Sequence, residues 1–324
     1  MRRIPDRDGA WGGIAGCTLR GALAVVLLAS LAPASPARAA FPIELKDDRG
    51  VVVRLTSAPR RLVSLAPSLT EIVFLLGQEH KLVGVTRYCN YPPQAGALPR
   101  IGGVADPDIE RIVAAAPDLV LCTTDGNPKE KVRAVEEMGI PCFAVSPQDL
   151  YGITTAIERI GALLGVPEKA RNEAVALRAR AERASQAAAG QGPKVLFVLS
   201  TSPVIVAGKG TFLDELIRRT GAGNGAAAYA GRYPRLSTED LLKAAPDLIF
   251  LAAMEGVEKF SPEITRWKEI PAFRDGEIVT LDGDLVTRPG PRMVSALEEV
   301  SRAVSAWRAR HGNASGGKKG GRGR

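Results

Sequence analysis

Glu110-Arg-Ile-Val-Ala-Ala-Ala-Pro-Asp-Leu-Val-Leu121 returns 129 residues later as Glu239-Asp-Leu-Leu-Lys-Ala-Ala-Pro-Asp-Leu-Ile-Phe250. Six of the twelve positions are identical, and four more exchange one apolar residue for another. Each copy reads as a short helix, a proline stop and a buried strand. The period exceeds the roughly 20–50 residues of a solenoid repeat and is the size of a domain. It therefore predicts two similar lobes and a cleft between them, the usual place for a small ligand.

Working outward, residues 41–55 alternate as a β-hairpin around Asp47-Asp-Arg-Gly50, an N-terminal edge. Arg61–Leu65 reads as a short buried strand. Ser68 then opens a helix to about Leu76, with Glu71 completing a Ser-x-x-Glu capping box and Gly77 as the stop. Strand Lys81–Thr86, helix Lys129–Met138 and strand Pro141–Val145 complete the first lobe, residues 40–148. Residues 149–188 have helical spacing broken at Gly165 and Pro167, a helical connector stiffer than a Gly/Ser linker. The second lobe, 189–311, holds strand Lys194–Leu199, helix Phe212–Arg219, strand Glu277–Leu281 and a terminal helix Pro291–Arg310. Alternating helices and continuously apolar strands predict an α/β fold with mostly parallel sheets covered on both faces.

The formal charge is +8, but residues 1–39 carry net +3 and the last seven +4, which leaves +1 for the folded part. The basic excess sits in appendages, so nucleic-acid binding is not indicated. Arginines near the start, an apolar run from Gly21 to Ala32 and Ala37-Arg38-Ala39 fit an export signal cleaved after Ala39. The run is too short for the roughly 20 residues of a membrane span, and the chain is expected to be a periplasmic monomer. The Gly- and Lys/Arg-rich tail, 312–324, reads as disordered. Cys89, Cys122 and Cys142 remain after cleavage. A bridge between Cys122 and Cys142 and two separate buried thiols both fit their strand ends.

Enzyme constellations fail. Pro203 and Gly210 break the match of Gly208-Lys-Gly-Thr211 to a phosphate loop, and Gly-x-Ser-x-Gly is absent. The two histidines, His80 and His311, lie in a turn and beside the tail, so a histidine triad or metal site has little to draw on. Asp125 and Asp284 are the acids near strand ends that an exported enzyme, the rival reading, would use. Asp108 and Ser237 are matched N-cap candidates. Glu110 and Glu239 follow each by two residues, in the first helical turn where the helix dipole favours a carboxylate. One acid at the tip of each lobe would also suit docking onto a basic partner. The loop Val83–Pro93, with Tyr88 and Tyr91, and the loop holding Tyr229, Arg232, Tyr233 and Arg235 place aromatic residues at strand ends, where ligands of open α/β sheets bind.

The Arg61-Leu-Val-Ser-Leu-Ala-Pro-Ser-Leu-Thr-Glu71 opening, the Gly84-Val-Thr-Arg-Tyr-Cys-Asn-Tyr-Pro-Pro93 loop, Ile101-Gly-Gly and both Glu…Pro-Asp-Leu copies resemble one family over residues 41–310. That family is the periplasmic cobalamin-binding proteins of ABC importers, within the helical-backbone metal receptors. The resemblance implies a class III periplasmic binding protein: two lobes joined by a long rigid helix, with small closure movements. It implies an extracytoplasmic solute carrier with no catalytic residue, no cofactor and no protein-bound metal. The cargo would be a corrinoid, cobalamin or cobinamide, with an iron–siderophore complex or haem as alternatives; for haem, Tyr88 would serve as axial ligand. Glu110 and Glu239 fall at the positions that meet arginines of the permease dimer. The implied ligand residues are Tyr88, Asn90, Val104, Thr123, Ile205, Arg232 and Tyr233. Val104, Thr123 and Ile205 stand where larger rings are expected, which implies a wider or more polar pocket.

Overall fold

The structure is a computed structural model that describes residues 41–188, 190–253 and 268–311. The expected export signal and the basic tail lie outside the described residues.

Strands β1 (Ile43–Lys46) and β2 (Val52–Leu55) pair antiparallel as a hairpin. Strand β3 (Leu62–Ser64), helix α1 (Pro67–Leu75), strand β4 (Leu82–Val85) and helix α2 (Ile109–Ala114) follow. Strand β5 (Leu119–Thr123), helix α3 (Lys129–Glu137) and strand β6 (Cys142–Val145) complete a sheet of order β4-β3-β5-β6, parallel throughout. The hairpin is a separate two-stranded sheet. Its turn docks beside the edge strand β6, where the Asp47 carboxylate and the Asp48 amide bond the Ala144 backbone.

The connector consists of α4 (Leu150–Leu163) and the 21-residue α5 (Pro167–Ala187), packed on each other. At Gly161 a β-carbon would stand 2.1 Å from that of Ala170, so the two helices meet this closely only because position 161 has no side chain.

The second sheet comes from β7 (Lys194–Thr201), β8 (Val204–Val206), α6 (Phe212–Arg219), β9 (Gly223–Asn224), α7 (Thr238–Ala244) and β10 (Leu248–Ala253). Then come α8 (Pro271–Arg274), β11 (Ile278–Asp282), α9 (Gly283–Thr287) and α10 (Met293–His311). The order is β11-β10-β7-β8, with β9 also on β7; β8 alone runs antiparallel.

The central strands are buried on both faces, as their continuous apolar sequence requires. Leu62, Leu119, Leu121, Val195, Phe197, Leu248 and Phe250 point into one interior shared with α1, α4, α5, α6 and α10. The alternate residues close a separate outer cluster on each lobe: Val63 and Val120 in one, Leu196 and Ile249 in the other.

The duplicated segment does the same work twice. Asp108 caps α2 by accepting from the Arg111 amide, and Ser237 exchanges bonds with Asp240 at the start of α7. Both helices end on an alanine with left-handed backbone, Ala116 (φ 42°) and Ala245 (φ 40°). The following proline disfavours right-handed helical geometry there. The next residue is an aspartate that clasps the chain entering the central strand. Asp118 accepts from the amides of Arg60 (2.7 Å) and Arg61 (3.0 Å), and Asp247 from that of Lys194 (2.8 Å). Each returns a bond through its own amide, to the Arg61 and Lys194 carbonyls.

The sequence placed Ser68 as a helix cap in a box with Glu71. The structure corrects this. The helix begins at Pro67 behind Ala66, with no side-chain cap; proline suits the first helical position because its fixed φ is already helical and its missing amide would have had no partner in the helix. Ser68 and Glu71 lie inside α1, and Glu71 is committed elsewhere. Of the two alternatives for Cys122 and Cys142, the structure has the separate thiols: Cys89, Cys122 and Cys142 are free and buried. Burial pushes the Cys122 thiol up to about 12, so it stays protonated and inert.

Asp118→Ala and Asp247→Ala should each lower stability by about 1.5–3 kcal/mol, the contribution of hydrogen bonds to charged groups. The losses should add in the double variant because the two clasps share no residue. Urea denaturation measures both; a double variant no weaker than either single one would show that the clasps do not act separately.

Candidate functional site

In a sheet ordered β4-β3-β5-β6, successive connections from the carboxyl ends of β3 and β5 leave in opposite directions. Ligands of open α/β sheets bind in the crevice this creates. The second lobe repeats the arrangement at β7 and β10. A cleft of about 390 Å³ lies there, walled by both lobes. The first contributes Ala66 to Ser68 after β3, Thr123, Asp125 and Gly126 at the end of β5, Val104, and Val145 to Gln148 at the end of β6; the second contributes Phe212, Arg232, Tyr233 and Thr287 to Pro289.

Two polar clamps tie the lobes together beside this cleft. In the first, Arg292, just before α10, donates to both oxygens of Glu71 on α1, at 2.7 and 3.0 Å. The Glu71 side chain is only 3% exposed and the Arg292 side chain 17%. The Tyr91 ring covers the guanidinium, 4.1 Å from ring centre to its carbon. Burial raises the Glu71 carboxyl above its ordinary value, and Arg292 opposes that shift without reversing it. Next to the pair, a β-carbon on Gly290 would stand 3.1 Å from that of Ser68, so the lobes are in backbone-level contact. In the second clamp, Asn90 donates to Asp284 (2.8 Å) and accepts from Arg288 (2.6 Å), while Arg288 also pairs with Asp284 (2.6 Å).

The first wall is held by Asn127, which is 4% exposed. Its side chain accepts from the Thr123 amide (2.7 Å) and donates to the carbonyls of Leu65 (3.0 Å) and Val104 (2.8 Å), joining three loops. At Gly126 a side chain would run into Val104 and Thr123. Asp125 projects beside it. Partial burial works against its charge, but hydrogen bonds from Gln148, Thr124 and Ser146, with the field of Arg232, hold its carboxyl below the usual range. An ionised Asp125 therefore faces Arg232. On the second wall, burial pushes the Tyr233 phenol up and Arg232 pulls it partly back, so Tyr233 presents a neutral ring to the cleft.

Of the residues expected to bind ligand, Val104, Thr123, Arg232 and Tyr233 line this cleft. Asn90 is engaged in the second clamp. Tyr88 is half exposed under the guanidinium of Arg87, which pairs with Asp106, and is not part of the lining. Ile205 sits on β8, bridged to Arg235, and is likewise outside the lining. Glu110 and Glu239 stand exposed in the first turns of α2 and α7; Glu239 pairs with Lys243 at 2.8 Å. The sequence reading missed Asn127, Gln148, Phe212, Arg288 and Arg292. No local signal marked them, because their roles come from partners distant in sequence. Among the described residues, no group of three or more His, Cys, Asp or Glu is placed to hold a metal ion, and no helix is long and apolar enough to cross a membrane.

Two α/β lobes, a helical connector and one cleft walled by both define a two-lobed binding protein. Comparison with known proteins agrees. Residues 62–285 match the periplasmic binding protein family model, and the chain belongs to that family. It is 31% identical over 251 residues to a vitamin B12-binding protein of Vibrio parahaemolyticus, covering 74% of this chain and 87% of that one. Its fold is similar to the periplasmic vitamin B12-binding protein BtuF of Vibrio cholerae, with TM-score 0.70, 29% identity, and 78% and 98% of the two chains covered. The periplasmic heme-binding protein RhuT of Roseiflexus is equally near, with TM-score 0.70, 28% identity, and 76% and 98% covered. These relatives are binding proteins.

Removing one partner of the buried clamp leaves an uncompensated charge. Arg292→Met should cost about 3–5 kcal/mol, and Glu71→Leu/Arg292→Met should recover most of it. Denaturant titration of both variants checks this; a double variant as weak as the single one would mean that the loss comes from packing rather than charge.

Proposed function

We propose that this chain captures a corrinoid between its lobes outside the cytoplasmic membrane and delivers it to an ABC permease. The observation that carries the reading is the cleft itself. It lies where both sheets reverse strand order, it is lined by Val104, Thr123 and the ring of Tyr233, and Arg232 and Arg288 stand at its polar side. A broad macrocycle with amide and phosphate substituents uses apolar walls and a few donors of this kind. The relationship to a vitamin B12-binding protein supports the same cargo.

Haem is the competing cargo, because a heme-binding protein is an equally near structural relative. An axial side chain is what haem retention needs. Tyr88, the axial candidate, stands outside the cleft lining, half exposed under the guanidinium of Arg87. The lining contains no histidine. This favours a cargo that brings its metal fully ligated.

In this reading the protein works as an exported monomer, cleaved near Ala39. Glu110 and Glu239, one carboxylate per lobe, are the contacts for basic residues of the permease. Both are exposed and held by capped helices, so they present charge without moving the cleft. Such rim charges act mainly on encounter and orientation. Tyr88 and Asn90, on the loop that carries Tyr91, and Ile205 on β8 would meet the outer edge of a cargo larger than the cleft.

Absorbance titration and thermal-shift measurements of the mature protein with cobalamin, cobinamide, haemin and ferric siderophores test the cargo. A corrinoid at 100 times its Kd should stabilise the fold by about 2.7 kcal/mol. Stabilisation by haemin or a siderophore alone would overturn the assignment. Tyr233→Ala should weaken corrinoid binding more than tenfold, about 1.4 kcal/mol. Glu110→Ala/Glu239→Ala should leave affinity intact and impair uptake into cells or reconstituted vesicles; undiminished uptake would remove these two residues from docking.

A further inference from the structure

Strand β6 is an edge of the first sheet, and the turn of the N-terminal hairpin occupies its outer backbone groups. Three consecutive turn residues do this. Arg49 donates to the Cys142 carbonyl (3.0 Å). The Asp47 carboxylate accepts from the Ala144 amide (3.2 Å), and the Asp48 amide donates to the Ala144 carbonyl (3.0 Å). The Asp48 carboxylate accepts from the Ser146 amide (2.6 Å). An edge so occupied is closed to pairing with another chain, which accounts for Asp47 and Arg49. The bond to Ser146 reaches further, because Ser146 lies past the end of β6 on the wall of the cleft.

From Ser146 the bonds run on into the cleft. The Gln148 side-chain amide donates to the Ser146 hydroxyl (3.0 Å) and to the Asp125 carboxylate (2.9 Å). Ser146 and Gln148 are thus two of the groups that hold the Asp125 carboxyl below its usual range. From the other side, Asp48 is fixed by the connector. Arg159 of α4 donates to the second Asp48 oxygen and to the Lys46 carbonyl, and its guanidinium lies 4.9 Å over the Phe143 ring of β6. One oxygen of Asp48 therefore answers to the connector and the other to the cleft wall. Charge-assisted bonds of this kind are short and directional, and a binding side chain is only as well placed as the groups behind it.

We propose that Asp48 is a positioning residue for cargo capture, holding through Ser146 the loop that orients Asp125 toward Arg232. The hairpin is then a working part of the cleft as well as an edge guard. This rests on the reading of the cleft as the cargo site and is indifferent to which chelate fills it.

Two measurements test it. The first is a carbon-13 NMR titration of the Asp125 carboxyl in ligand-free protein. In Asp48→Ala the donors to Asp125 loosen, so its titration midpoint should rise by about half a pH unit or more. Arg49→Ala, which cuts the same turn away from Cys142 and Glu136, should leave that midpoint in place while lowering stability in urea. The second is calorimetric titration with cyanocobalamin. Asp48→Ala should weaken binding about fivefold, Asp48→Asn, which keeps an oxygen for the Ser146 amide, should recover most of the loss, and Arg49→Ala should stay within about twofold. In an Asp125→Asn background, Asp48→Ala should add less than about twofold, because residues acting through one another are not additive. Arg159→Gln, which frees Asp48 on the connector side, should act in the same direction and serves if Asp48→Ala does not fold, as judged by circular dichroism. An unmoved Asp125 midpoint, or losses from Asp48 and Asp125 that simply add, would overturn the assignment. A wild type that does not bind cyanocobalamin would overturn the corrinoid reading alone, since the carboxyl titration is made without ligand and still decides the role of Asp48.

Discussion

The Glu71–Arg292 pair is the constraint on which the rest of the molecule turns. It joins the first helix of one lobe to the entry of the last helix of the other, almost out of contact with water, with the Tyr91 ring as its lid. A pair so placed gains little net energy, because both ions lose their hydration. Its effect is geometric. A bidentate guanidinium–carboxylate bond fixes angle as well as distance, so the lobes are pinned along one side of the cleft. The Asn90–Asp284–Arg288 clamp adds a second, more exposed tie. The lobes are thus fastened to each other at two points on one side of the cleft.

That constraint also explains how much the sequence revealed. The repeated Pro-Asp-Leu segment showed two lobes because its role is local: a capped helix, a left-handed alanine, and an aspartate reaching for the adjacent chain. Phe212–Arg219 reads as a helix from its spacing and is one. Glu71 was misread for the same reason. Ser-x-x-Glu is a capping signature when nothing else competes, but Pro67 starts the helix one residue earlier, which puts Ser68 inside it, and Arg292, 221 residues away, claimed the carboxylate. Strands β8 and β9 went unread because three and two residues carry no periodicity.

The candidate site was legible by half. Val104, Thr123, Arg232 and Tyr233 were found because loops after strands are where an α/β sheet offers a ligand its walls. Asn127, Arg288 and Arg292 were not, since each acts through contacts that exist only after folding. The cysteines show the converse limit. Cys122 and Cys142 sit on adjacent parallel strands, where a bridge is easy to imagine, yet both remain thiols enclosed in the outer core of the first lobe.

The continuous interior has a further meaning. The inward faces of both sheets and the helices α1, α4, α5, α6 and α10 belong to one apolar body. Neither half can therefore bring its own inner sheet face out of water unaided. Separated at the connector, each would carry a bare hydrophobic flank and would be prone to aggregate. The molecule has the outline of twins but a single seam of cohesion, and it should melt as one piece.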